Sequence, residues 1–161
     1  MNQNIRFCFK APLNVRTSRM KKFLIVLLIL LTYGELSLAD NRDLLKECPD
    51  RPNCVSTTSS SERSRMEPIA FKGSVDDAQK TLDSIITSMP GAKIVESRPG
   101  RLITTFTSSI FGFVDDVEFA LDDSKKLINF RSASRVGYYD FGVNRRRMEA
   151  ITKAFNLAQS E

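Results

Sequence analysis

The feature that most constrains the fold is an alternation of apolar and polar residues between residues 92 and 134. It runs through "AKIVES", "RLITTFTSS", "FVDDVEFAL" and "KLINFRSAS", each with the period of two that is typical of a strand. The turns "RPG" and "DDSK" are too short for anything but antiparallel neighbours. A further short strand is expected in "MEPIAF", where Pro68 restricts it to a sheet edge or a strand start. The sequence therefore predicts an antiparallel sheet of about four to five strands.

Two segments have the helical period instead. Ser74 and Asp77 form a capping box, and Pro90 with Gly91 ends the helix that follows. A second helix is predicted to start near Asn144. The apolar stripes are Val75, Ala78, Leu82, Ile85, Ile86 and Met89 in the first helix, and Met148, Ile151, Phe155 and Ala158 in the second. The predicted order is β-α-β-β-β-β-α, an α+β fold of two layers with both helices packed on one face of the sheet.

The first 39 residues differ in kind from the rest. "MKKFLIVLLILLTYGELSLAD" has the pattern of a secretory signal, which predicts a start at Met20, cleavage after Ala39 and a single globular domain over 40–161. The apolar run from Phe23 to Leu31 is shorter than the roughly 20 residues of a membrane span, so a membrane is expected as a partner only through an uncleaved signal. The expected location is periplasmic or secreted.

The net charge of +5 lies entirely in this leader, which carries six basic residues and one acid. Residues 40–161 contain 18 basic and 18 acidic side chains. Because the domain itself has no basic excess, a nucleic-acid partner is not expected.

Cysteine and histidine content limits the chemistry. Cys48 and Cys54 bracket "PDRPN", and in an oxidising compartment such a pair predicts a disulfide, although a metal site is the alternative. The chain has no histidine, which excludes Ser-His-Asp and Cys-His nucleophiles and histidine-ligated metals. No metal and no cofactor are predicted.

The segment "RSASRVGYYDFGVNRRR", residues 131–147, contains the candidate site. Helical geometry turns Arg147 and Asn144 inward and Arg146 towards water, and strand alternation places Asp115 on an apolar face where it needs a partner. In one interpretation Arg147 pairs with Asp115 or Asp140 and the segment is structural. In another, a pocket at the helix N-terminus binds a carboxylate or phosphate. The predicted ligand-binding residues are Arg131, Ser132, Ser134, Arg135, Tyr138, Asp140, Asn144 and Arg147.

Other segments are assigned no chemistry. The stretch from Phe111 to Phe113 is predicted to be a strand bend packed in the core, and residues 56–64 an irregular surface connection.

Three stretches in this order, "CPDRPNCVS", "FGFVDDVEF" and "RSASRVGYYDFGVNRRRMEAI", resemble the domain-of-unknown-function family 1499 of bacteria and plastids. The resemblance covers residues 47–156 and implies no established activity, cofactor or substrate. It does imply that the cysteine loop and the arginine-rich segment occur together, which favours a shared site.

The predicted function is that of an exported, non-enzymatic module that binds a small anion or associates with the cell envelope. Two alternatives stay open. One is a histidine-free enzyme that acts on an envelope component with Asp115 or Asp140 as acid or base. The other is a scaffold or assembly factor that meets an envelope protein through the Tyr138 loop. The oligomeric state is left open.

Overall fold

The computed structural model describes residues 45–160, so the predicted leader and its cleavage site lie outside the described residues. Within this range the chain forms six strands and two helices. The strands are β1 (Cys54–Ser56), β2 (Ile69–Ala70), β3 (Ala92–Arg98), β4 (Arg101–Thr107), β5 (Val114–Asp122) and β6 (Leu127–Ser134). The helices are α1 (Val75–Ser88) and α2 (Val143–Ala158).

The strands form one antiparallel sheet in the order β1-β6-β5-β4-β3, and β2 pairs with the other half of β6. Strands β5 and β6 lie at its centre, with Asp115 opposite Ser134 and Glu118 opposite Arg131. The predicted α+β class is confirmed. Strand β1 was not predicted, because its three residues are too few to show a period.

Both helices contribute to one core on one face of the sheet. Ser74 caps α1 as predicted, with its Oγ accepting a hydrogen bond from the Asp77 amide at 3.1 Å. The buried core side chains from the helices are Leu82, Ile86, Met148, Ile151 and Phe155, and those from the central strands are Val117, Phe119, Ile128 and Phe130. All of them were predicted by the two periodicities, but the predicted stripes went further, because Val75, Ile85 and Met89 are only partly buried and Ala158 is exposed.

One local prediction holds only in part and another was wrong. Residues 57–64 form an irregular connection with 60–63 exposed, as expected, but Ser59 and Ser64 are buried, and Ser56 belongs to β1 and donates its Oγ to the Phe130 carbonyl. Phe111 and Phe113 were expected in the core, but both are exposed, because β5 begins only at Val114 and the preceding residues form a closed turn. No helix within residues 45–160 is long and apolar enough to cross a membrane.

Candidate functional site

The disulfide between Cys48 and Cys54 is confirmed, with a Cα–Cα distance of 5.7 Å. It anchors the segment before β1. Asn53, adjacent to Cys54, accepts a hydrogen bond from the Ser134 amide on its carbonyl and donates its Nδ2 to the Gly137 carbonyl at 2.6 Å. The cysteine loop and the arginine-rich segment are therefore in direct contact.

Strand alternation divides the eight predicted ligand-binding residues among three places. Ser132 and Ser134 point to the helices, where they meet Asp140, Asn144 and Arg147. Arg131 lies on the opposite, open face of the sheet with Glu118. Arg135 and Tyr138 belong to the exposed loop between β6 and α2. The structure thus brings five of the eight together.

We call these five residues and Asp115 the polar cluster. Arg147 donates through Nη2 to Asp115 Oδ2 at 2.5 Å, and each of these side chains is only 10% exposed. The guanidinium also lies over the Phe106 ring, with its carbon 4.6 Å from the ring centroid. The inward orientation of Arg147 is confirmed, and of its two candidate partners, Asp115 and Asp140, the structure pairs it with Asp115.

Asn144 is the centre of the polar cluster and is fully buried. Its Oδ1 accepts from Ser132 Oγ at 2.5 Å and from Arg147 Nη1 at 2.7 Å. Its Nδ2 lies 2.9 Å from Asp140 Oδ2 and 3.1 Å from Ser134 Oγ. The hydrogen-bonding capacity of this amide is therefore used inside the molecule.

Asp140 occupies the N-terminus of α2. Its two carboxylate oxygens accept from the backbone amides of Gly142 and Asn144, both at 2.9 Å. A negative group is favoured there by the helix dipole, and here the group is the chain's own carboxylate. The role of these residues in binding an external anion stays a prediction.

Arg131 forms part of a second charged group, with Glu118 and Arg101. Glu118 lies 3.3 Å from Arg101 and 3.9 Å from Arg131, and all three side chains are less than a fifth exposed. The Nε atoms of both arginines are buried and have no hydrogen-bond partner among residues 45–160. Within this range one carboxylate therefore lies between two guanidinium groups that each keep an unpaired Nε–H donor.

Arg135 is paired on the surface. Its Nε and Nη2 donate to both oxygens of Asp116 at 2.8 to 3.1 Å, and these hydrogen bonds to the carboxylate raise the pKa of the guanidinium. Such an exposed pair contributes little to stability.

The most unusual surface lies at the end of the sheet where β5 begins and β6 ends. Two loops leave the sheet side by side there, joined by a hydrogen bond from the Arg135 amide to the Val114 carbonyl at 3.0 Å. They and the first residue of α2 carry eight of the ten large hydrophobic side chains that are exposed within residues 45–160. We call this surface the aromatic end; its residues are Ile110, Phe111, Phe113, Val136, Tyr138, Tyr139, Phe141 and Val143.

Both loops of the aromatic end are ordered by internal contacts. In the 108–113 loop the Gly112 amide donates to the Ser108 carbonyl at 3.1 Å, and Phe111 stacks on Phe113 with ring centroids 5.6 Å apart. In the 135–142 loop Tyr139 meets Phe141 edge to face at 5.1 Å. The scaffold hypothesis had already assigned the Tyr138 loop, which contains Phe141, to a protein contact, but Phe111 and Phe113 were predicted to lie in the core. The clustering of aromatic residues around Gly112 and Gly142 was the available signal.

Two further features of residues 45–160 were inspected for binding chemistry. No group of three or more cysteine, aspartate or glutamate side chains is placed to hold a metal ion. An open cleft of about 530 Å³ lies between Met66 and the outer face of α2, lined by Glu149, Lys153 and Leu157 among others. It contains none of the predicted ligand-binding residues.

A family model described as a protein of unknown function, DUF1499, matches residues 44–155. No curated protein and no solved structure matches the chain.

Proposed function

The chain belongs to the DUF1499 family, and we propose that it is a non-catalytic, exported module of the cell envelope that binds its partner through the aromatic end. The observation that carries this proposal is the concentration of exposed apolar side chains on one end. Outside it, only Val95 and Leu157 are comparable within residues 45–160. A contiguous apolar patch on an otherwise polar surface is typical of an interaction site.

Export is supported by the disulfide, since such bonds persist in oxidising compartments. The signal-like leader supports it independently.

A non-catalytic role is supported by the state of the two candidate acid–base groups. Asp115 is paired with Arg147, and Asp140 accepts hydrogen bonds from three N–H groups. Both carboxylates therefore have partners inside the molecule and are not presented to a substrate. The chain also lacks histidine.

The proposal is tested by fractionating cells that express the full chain with Phe111→Ser and Phe141→Ser together. We expect the protein to move from the sedimenting envelope fraction to the supernatant. The matched control is Val95→Ser with Leu157→Ser, which removes the same kind of exposed side chain elsewhere. Equal sedimentation of both double variants and the parent would overturn the proposal.

A second candidate is the predicted binding of a small anion, located at Arg101 and Arg131. It is favoured by their buried Nε atoms, which have no hydrogen-bond partner in the part of the chain that the structure describes. Inorganic phosphate should then raise the midpoint of thermal unfolding at constant ionic strength, and Arg131→Gln should remove the increase. Arg98→Gln, at an exposed arginine paired with Glu96, is the control that should keep it. The absence of any phosphate effect on the parent would eliminate this candidate.

A further inference from the structure

We propose that the partner of the aromatic end is the surface of a lipid bilayer that contains anionic lipids. This inference rests on the proposed function, because it identifies the partner of the same surface.

The first argument is the kind of side chain at the two loop tips. Ile110, Phe111 and Phe141 are 82%, 74% and 77% exposed, so they project into the solvent rather than lie flat on the domain. Tyr138 and Tyr139 beside them combine an apolar ring with a polar hydroxyl, the combination that favours the boundary between headgroups and acyl chains. At a membrane interface the projecting apolar tips would reach the acyl chains, while the tyrosines beside them would lie among the headgroups.

The second argument concerns the backbone. Insertion is costly when amides and carbonyls lose water without other partners. In the 108–113 loop the Ser108 amide donates to the Phe113 carbonyl at 2.9 Å, and the Phe113 amide donates to Ser108 Oγ at 3.0 Å. In the 135–142 loop the Gly142 amide donates to Asp140 Oδ1, and the Gly137 carbonyl accepts from Asn53 Nδ2. Several of the polar backbone groups at these tips are therefore already satisfied.

The third argument is charge. Residues 108–114 contain no charged side chain, and residues 135–147 contain four arginines and one aspartate. Arg135 and Arg147 are paired with Asp116 and Asp115, so the positive charge beside the loops comes from Arg145 and Arg146. The aspartate, Asp140, turns its carboxylate to the helix N-terminus. Arg146 is exposed and donates to the Phe141 carbonyl at 2.9 Å, which holds a positive charge beside the apolar tip. Apolar tips bordered by arginine match an anionic bilayer better than a neutral one.

The chain has no tryptophan, so a single tryptophan reports on one position. We would prepare the full chain as Phe111→Trp and, as a matched control, as Leu157→Trp, which is also exposed but lies near the other end of α2. Each is mixed with vesicles of phosphatidylcholine and phosphatidylglycerol, with and without brominated lipid. This readout is local, so binding through the leader cannot imitate insertion of the loop.

We expect the emission of the Phe111→Trp protein to shift to shorter wavelength and to be quenched by brominated lipid, whereas the Leu157→Trp protein changes in neither respect. Adding Arg146→Gln to Phe111→Trp should weaken binding about fivefold. Vesicles of phosphatidylcholine alone should bind much more weakly.

Unchanged emission of the Phe111→Trp protein with anionic vesicles would overturn the bilayer as partner. If the fractionation experiment nevertheless showed loss of envelope association on changing Phe111 and Phe141, the proposed function would stand with a protein as partner. Equal insertion into neutral and anionic vesicles would overturn the requirement for anionic lipid.

Discussion

At the residue scale, the buried pair of Asp115 and Arg147 shows how an arginine-rich segment can be structural. A carboxylate on the apolar face of β5 is costly unless a cation and further hydrogen bonds compensate it. Arg147 supplies the cation, while its Nη1 also reaches Ser132 and Asn144. The cluster fixes the N-terminus of α2 to the central strands and so positions the loop that precedes it.

We predict that Arg147→Met lowers the free energy of unfolding by about 3 to 5 kcal/mol, because it leaves Asp115 buried without its partner. Chemical denaturation measures this. Arg146→Met, the same change at an exposed neighbour, should cost less than about 1 kcal/mol.

The double variant Asp115→Asn with Arg147→Met completes the cycle. The decrease in its free energy of unfolding should be smaller, by about 1 to 3 kcal/mol, than the sum of the decreases in Asp115→Asn and Arg147→Met alone. Strictly additive losses would contradict the pairing as a stabilising interaction.

At the scale of the elements, most of the successful predictions came from the alternation of apolar and polar residues along β5 and β6. It placed Val117 and Phe119 in the core and Asp115 on the same face, and the structure agrees. Helical geometry likewise placed Arg147 inward and Arg146 outward. These predictions succeeded because a regular backbone fixes the direction of each side chain.

The loops could not be predicted in this way. The exposure of Phe111 depends on the turn from Ser108 to Phe113, and that of Phe141 on a left-handed backbone at Phe141 and Gly142, with φ of 54° and 76°. No period encodes such turns. Arg131 is a different case, because strand alternation alone turns it to the sheet face opposite the helices, whereas the predicted set was taken from one continuous stretch of sequence.

The turn between β5 and β6 gives a pH prediction. Asp122 Oδ1 accepts from the Ser124 hydroxyl at 2.6 Å and from the amides of Ser124 and Lys125. The Ser124 hydroxyl, with help from Lys125, lowers the pKa of Asp122 below its usual 3.8. Because the folded state favours the ionised form of Asp122, its hydrogen bonds stabilise the fold fully at a pH above the pKa of Asp122 in the unfolded chain. This stabilisation is lost as the pH falls through the lower pKa of Asp122 in the folded protein.

The difference in unfolding free energy between the parent and Asp122→Asn should therefore be constant above about pH 5 and should shrink on acidification below it. Urea unfolding at a series of pH values measures it. If the difference in unfolding free energy between the parent and Asp122→Asn grew on acidification, Asp122 would not be the stabilising carboxylate described above.

The connection between α1 and β3 depends on Gly91. Its φ is +75°, and an added Cβ would lie 2.3 Å from the Thr107 carbonyl oxygen, which belongs to the backbone of β4. Gly73 has a similar φ of +80° but nothing within 4 Å of such a Cβ. Gly91→Ala should therefore lower the thermal unfolding midpoint more than Gly73→Ala, which carries only the backbone cost of about 1 to 2 kcal/mol. An equal decrease in the unfolding midpoint of both variants would show that the backbone avoids the contact between the new Cβ and the Thr107 carbonyl without loss of stability.

At the scale of the whole molecule, the disulfide loop is connected to the aromatic end. Asn53 is the last residue of the loop before Cys54, and it accepts a hydrogen bond from the Ser134 amide and donates one to the Gly137 carbonyl. The cysteine loop therefore supports the segment that carries Tyr138 and Phe141, which gives a physical reason for the two sequence features to occur together.

Replacing both Cys48 and Cys54 with serine should lower the free energy of unfolding by about 2 to 3 kcal/mol. Reduction of the parent protein should have a similar effect, and denaturation with and without a reducing agent measures both. A parent whose stability is unaffected by complete reduction would contradict a stabilising role for the bond.

The central claim is that the aromatic end, and not the polar cluster, is the binding surface. Hydrogen–deuterium exchange of the full chain, with and without isolated envelope membranes, tests it most directly, because it locates the contact whether the partner is lipid or protein. We predict that exchange slows in peptides covering 108–114 and 135–143 and stays unchanged in α1 and β3. Unchanged exchange in those two loops, with protection elsewhere in the domain, would contradict the account.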